Sequence, residues 1–163
     1  MKKVLSLAVA LAISCFAFAT DEIAGKVVSV IDGNTIEVIG EDNETYKIML
    51  HGIDCPELGQ AYGEKAKKLL EKLVMEKSVN VKIQGKDRWG TRLGILTIDG
   101  ESDPRFELLK EGLAWTAEKN PIAELEEIKL QAREQNKGLW KDENPTPPWS
   151  FRRQQTLTQF KSS

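Results

Sequence analysis

The sequence predicts a mainly β chain with helices: a five-stranded barrel carrying three α-helices. Three observations predict it. Segments 23–30, 35–39 and 45–51 alternate β-branched residues with polar ones, the two-residue period of half-buried strands. After Pro56 the apolar spacing lengthens to the 3.6-residue period of a helix. Alternation then returns in 79–83 and 93–98, before two more helical stretches.

Each element has its own signals. The polar turn Asp32-Gly33-Asn34 separates the first two strands, and Gly40-Glu41-Asp42-Asn43 separates the second from the third, so the three form a meander. In the helix expected over 62–76, Ala66, Leu69, Leu70, Leu73 and Val74 share one stripe, with Glu64, Lys65, Lys67, Lys68 and Glu71 outside it. Phe106, Leu108 and Leu109 indicate a short helix closed by Gly112, and a last helix over 122–135 turns Leu125, Ile128 and Ala132 inward and stops at Gly138. Five strands with a helix between the third and fourth is the order of an OB-fold barrel, whose open face binds ligands. Fold alone does not assign function, so the motifs must.

The chain has 163 residues, enough for one domain with a sizeable core, and no repeat or linker divides it. Lys2 and Lys3 precede an apolar run and the small-residue pattern Ala17-Phe18-Ala19, which reads as a signal peptide over 1–19. The run is too short for the roughly 20 apolar residues of a membrane span, so no span is expected in the mature chain. Export to the periplasm or the medium is the expectation. Cleavage removes two of the 23 basic residues and none of the 25 acidic ones, taking the net charge from −2 to −4 and arguing against a broadly basic nucleic-acid coat. Cys15 leaves with the leader, so Cys55 has no disulfide partner, and His51 is the single histidine. Cys55 itself reads as a small apolar residue in a turn. Past Pro145 the apolar period disappears, and residues 154–163 are expected as a flexible tail to a domain spanning 20–153; a monomer is expected.

Ordered motifs run through that domain: Val30-Ile31-Asp32-Gly33-Asn34-Thr35-Ile36, Leu50-His51-Gly52-Ile53-Asp54-Cys55-Pro56-Glu57, Asp87-Arg88-Trp89-Gly90, Gly112-Leu113-Ala114-Trp115, Gly138-Leu139-Trp140 and Pro148-Trp149-Ser150-Phe151-Arg152. In order and spacing they resemble the staphylococcal nuclease (thermonuclease) family over residues 23–153. The resemblance implies a calcium-dependent phosphodiesterase acting on DNA and RNA. It implies Ca²⁺ held by Asp54, by the residue at position 34 and by the backbone carbonyl of Cys55, with Glu57 as base for the attacking water. It also implies two arginines on the phosphate, at positions 49 and 91.

Three of those five side chains depart from the pattern: Asn34 replaces an aspartate, and Met49 and Thr91 replace the arginines. An amide oxygen still ligates calcium, but the lost charge implies weak Ca²⁺ binding. Losing one donor to developing charge costs on the order of 10² to 10³ in rate, so losing two implies an inactive or very weak nuclease retained as a binding module for single-stranded DNA or RNA, held weakly. The alternative is a working endonuclease with relocated cations. Lys47 and His51 flank Met49 on one strand face, and Arg92 follows Thr91, although Leu93 is expected to keep an inward register. A third possibility is an interaction protein of the cell envelope. On the substrate side, Arg88 and Trp89 match a basic and aromatic pair able to stack on a base. The family's stacking tyrosines fall where this chain has Ala117, Glu118, Lys119 and Asn120, with Glu118 opposing phosphate. Trp115, Trp140 and Trp149 are expected to pack within the fold.

Overall fold

A computed structural model describes residues 21–161. The signal peptide expected over residues 1–19 lies outside the described residues. Strands β1 (Glu22–Val30), β2 (Thr35–Gly40) and β3 (Thr45–Leu50) form the meander; β4 (Ile53–Asp54) and helix α1 (Gly63–Val74) follow, then β5 (Ser78–Lys86) and β6 (Arg92–Ile98). Helix α2 (Pro104–Lys110), β7 (Trp115–Thr116), α3 (Ala123–Glu134), a 3-10 turn (Gly138–Lys141) and α4 (Pro148–Lys161) complete the chain.

The barrel closes in the order β1-β2-β3-β6-β5, with β1 antiparallel to both β2 and β5 and the β3–β6 contact parallel. Period-two side chains fill it: Ile36 and Val38, Ile48 and Leu50, Val79 and Val81, and Leu96 and Ile98 are all buried. Strand β6 keeps an unbroken two-residue period that turns Gly94, Leu96 and Ile98 inward, and the register shift between Ile83 and Gly85 falls in its neighbour β5. Leu93 was expected inward. It is half-buried on the opposite face instead, opposite Met49.

Helix α1 buries Ala66, Leu70 and Val74, with Leu69 and Leu73 packed half-buried beside them. Its start is tight against the segment before it, since a Cβ at Gly63 would meet the Glu57 carbonyl oxygen at 2.1 Å. A Cβ at Gly33 would meet those of Cys55 and Ala66 at 2.6 and 2.8 Å. The Asp32-Gly33-Asn34 turn, the Asp54–Glu57 segment and α1 are therefore one packed unit. Helix α2 begins with Pro104 at its first turn and Asp103 as N-cap, whose carboxylate accepts from the Arg105 backbone N–H at 3.0 Å.

Among the described residues there are four α-helices where three were expected. The fourth, α4, takes in most of the segment read as a flexible tail. Pro147 supplies the carbonyl that accepts from the Ser150 and Phe151 N–H groups, and Pro148 has the φ of a first helical residue. Residues 152–158 are exposed on every side, so the helix has no apolar stripe to announce it. Among the described residues no helix is long and apolar enough to cross a membrane.

Candidate active site

The site is built where the chain leaves the barrel after β3. The Arg105 guanidinium, locked to Asp103 at 2.6 Å, donates to the His51 carbonyl at 2.7 Å, and the His51 N–H donates to the Gly94 carbonyl. That fixed turn delivers β4, which pairs with β7 so that Ile53 faces Thr116 and Asp54 faces Trp115. Ile53 is buried and Asp54 is directed outward. Glu57 follows in a turn whose backbone N–H donates to Gln60 Oε1, while Gln60 Nε2 donates to the Thr146 carbonyl at 2.5 Å.

The main cation at these carboxylates was not foreseen from sequence: it is Arg152, from the first turns of α4. Its Nη1 and Nη2 meet Asp54 Oδ1 and Oδ2 at 3.1 and 2.8 Å, and Nη1 also donates to Glu57 Oε1 at 2.6 Å. The bonds from Asp54, opposed by partial burial and reinforced by Glu57, push the guanidinium pKa up. The arginine side chain stays 49% exposed, so solvent screens these pairs and they hold geometry more than they add stability. The helix is tethered twice more, by Trp149 edge-on to Trp115 with ring centroids 5.6 Å apart and by Arg153 near Glu118 at 3.6 Å. The Glu118 expected to oppose phosphate is thus partnered.

Asn34 is buried beside these groups. Its backbone N–H donates to Asp32 Oδ1 at 3.0 Å, and its own Oδ1 accepts from the Cys55 N–H at 3.4 Å, a long bond. Cys55 is buried with Sγ 3.2 Å from the Gly33 carbonyl oxygen. Burial first, then the charges of Asp54, Asp32 and Glu57, push its thiol pKa well up, so it remains an inert thiol as its sequence context suggests. Asp54, the Asn34 amide and the Cys55 carbonyl are hard oxygen donors of the kind calcium takes. The charge count fits less well. Both Asp54 oxygens are shared with Arg152, and no group of three or more His, Cys, Asp or Glu side chains suited to a metal exists among the described residues.

The implied arginine positions carry no charge. Met49 points away from the barrel interior that Ile48 and Leu50 fill, and Thr91 gives its backbone to a turn in which Asp87 Oδ1 accepts its N–H at 2.9 Å. Of the relocated cations considered, Lys47 is exposed and sits across from Glu37, and Arg92 lies over the Tyr46 ring, 4.7 Å from its centroid. His51 is a poor cation here, because burial first and Arg105 second push its pKa down and keep the imidazole neutral near pH 7. Arg88 stacks on Trp89 at 3.9 Å, and Trp89 is 73% exposed, leaving an aromatic face open to a base. Trp140 packs at 4.6 Å from Trp115. The three remaining tryptophans therefore serve packing, as expected.

Comparison with known proteins places the chain in a family. The family model described as staphylococcal nuclease homologue matches residues 47–142. The chain belongs to that family, which is generally calcium-dependent. An "Uncharacterized endonuclease" of Escherichia coli O157:H7 is 38% identical over 133 residues, covering 80% of this chain and 86% of that protein. A "Micrococcal nuclease" of Shigella flexneri is 33% identical over 162 residues, 93% of this chain and 91% of that one. A "Probable staphylococcal-like nuclease CAN1" of rice, Oryza sativa subsp. japonica, is 40% identical over 111 residues, 66% of this chain and 33% of its own length.

Proposed function

We propose that this protein is an exported nucleic-acid-binding member of the family whose calcium-dependent phosphodiester hydrolysis is very weak. The observation that supports this most is the asymmetry of the site: Asp54 and Glu57 lie together on Arg152, while positions 49 and 91 present a thioether and a hydroxyl. Water activation near a weakly held calcium retains its groups, whereas charge stabilisation on the phosphate loses two forks. Binding of single-stranded DNA or RNA uses the exposed Trp89 face and the cations near it.

Calorimetry with calcium tests the metal half of this reading. Native protein is expected to bind weakly, and Asn34→Asp to bind more tightly, because it restores a formal charge within ligand reach. Micromolar affinity in the native chain, or no change in the variant, contradicts it. Export is tested by the mass of the secreted chain, expected to begin at Thr20. A second reading, an efficient endonuclease with relocated cations, is favoured by one observation, the exposed Lys47 on the same strand face as Met49.

A further inference from the structure

Arg152 leaves one edge of its guanidinium unused. Nη1 and Nη2 engage Asp54 end-on, and the remaining Nη1 hydrogen goes to Glu57. The side edge, made of the Nε hydrogen and the second Nη2 hydrogen, has no partner among the described residues. Two parallel N–H donors on a planar group match two oxygens of a phosphate, and a guanidinium serves this better than an ammonium. The fork also stands at the right place. A phosphate brought up to Asp54 and Glu57 must lie beside the cation that bonds both carboxylates. The position is fixed by contacts independent of the carboxylates, namely Trp149 on Trp115 and Gln60 on Thr146.

We propose that Arg152 is a substrate-binding residue of this site, whose free guanidinium fork takes the nucleic-acid phosphate that positions 49 and 91 no longer hold. The two carboxylates orient the half-exposed side chain, and its side edge receives the ligand. This rests on the reading of the site as one that binds nucleic acid. It adds a residue from a helix outside the barrel, so the ligand bridges the barrel and α4.

The test is binding of a labelled phosphorothioate single strand of about ten nucleotides to the full mature chain, with calcium and in chelator, across a salt series. Arg152→Ala is expected to weaken binding in calcium by roughly ten- to a hundredfold, the worth of hydrogen bonds between charged groups, and to lower the salt slope by about one ion. Arg152→Lys is expected to keep the salt slope and recover only part of the affinity, since it retains the charge without the fork. Tryptophan fluorescence reports whether α4 stays docked. If the alanine variant fails to fold, the lysine variant decides, because its charge still faces Asp54 and Glu57. Arg152→Lys binding as tightly as the native chain overturns the fork. Unchanged or tighter binding by folded Arg152→Ala, with stronger calcium affinity, shows a plug on the carboxylates rather than a ligand for phosphate. A native chain that binds no strand at all sinks the nucleic-acid reading and this proposal together, whereas native binding with unaffected variants removes Arg152 alone.

Discussion

Replacing Asn34 with Asp, Met49 with Arg and Thr91 with Arg together is expected to raise calcium-dependent cleavage of single-stranded DNA by roughly 10³-fold or more, with each single change giving about tenfold at most. The reason is that the three groups act on one phosphate. Asn34→Asp would help Asp54 hold calcium, but without the arginines no side chain would offset the charge that builds on the phosphate, and without the metal the arginines would lack the partner that positions it. The scaffold allows the restoration. The Leu50 N–H donates to the Asn34 carbonyl at 2.8 Å, which ties the end of β3 to the turn carrying position 34. Position 49 is one residue earlier on the outward face, where a long side chain meets no packed interior. Initial rates on heat-denatured DNA check this; a folded, calcium-binding triple variant with no gain would mean that the geometry has been lost along with the side chains.

Changing Leu70 to Ala is expected to cost about 2–5 kcal/mol, measured by urea denaturation, since the side chain is fully buried at the centre of α1. The consequence reaches the site. Ala66, one turn earlier, supports Gly33 and Cys55, so a cavity at Leu70 loosens the floor on which Asn34 and the Asp54 segment rest. A cost below 1 kcal/mol would show that α1 is peripheral.

The barrel was legible because its strands are half-buried and each writes a two-residue period, and α1 because one stripe of it is buried. Of the site, the family resemblance implied which positions to consider, and the structure brings Asn34 to Cys55 with Asp54 and Glu57 close by. Arg152 was legible as the end of the 148–152 motif but not as a cation of the site. It contacts Asp54 across 98 residues of chain, from a helix exposed on all sides beyond its first turn, so neither local spacing nor amphipathicity marks it. What signal there was lies in Trp149 and Arg152, three apart and hence on one helical face. The two-residue strands β4 and β7 are too short for any period. The outward register of Leu93 was legible in β6 itself, since Leu96 and Ile98 point inward and Leu93 lies an odd number of residues from both.

The central claim is a phosphodiester site that keeps its carboxylates and lacks its two family arginines. Cleavage of heat-denatured DNA by the native chain, in calcium and in chelator, beside the Shigella flexneri relative named micrococcal nuclease as reference, tests it most directly. The expected result is cleavage at least about 10²-fold slower than the reference, abolished by chelation and by Glu57→Gln, as the loss of preorganised cationic donors requires. Calcium-dependent cleavage at the reference rate would contradict it.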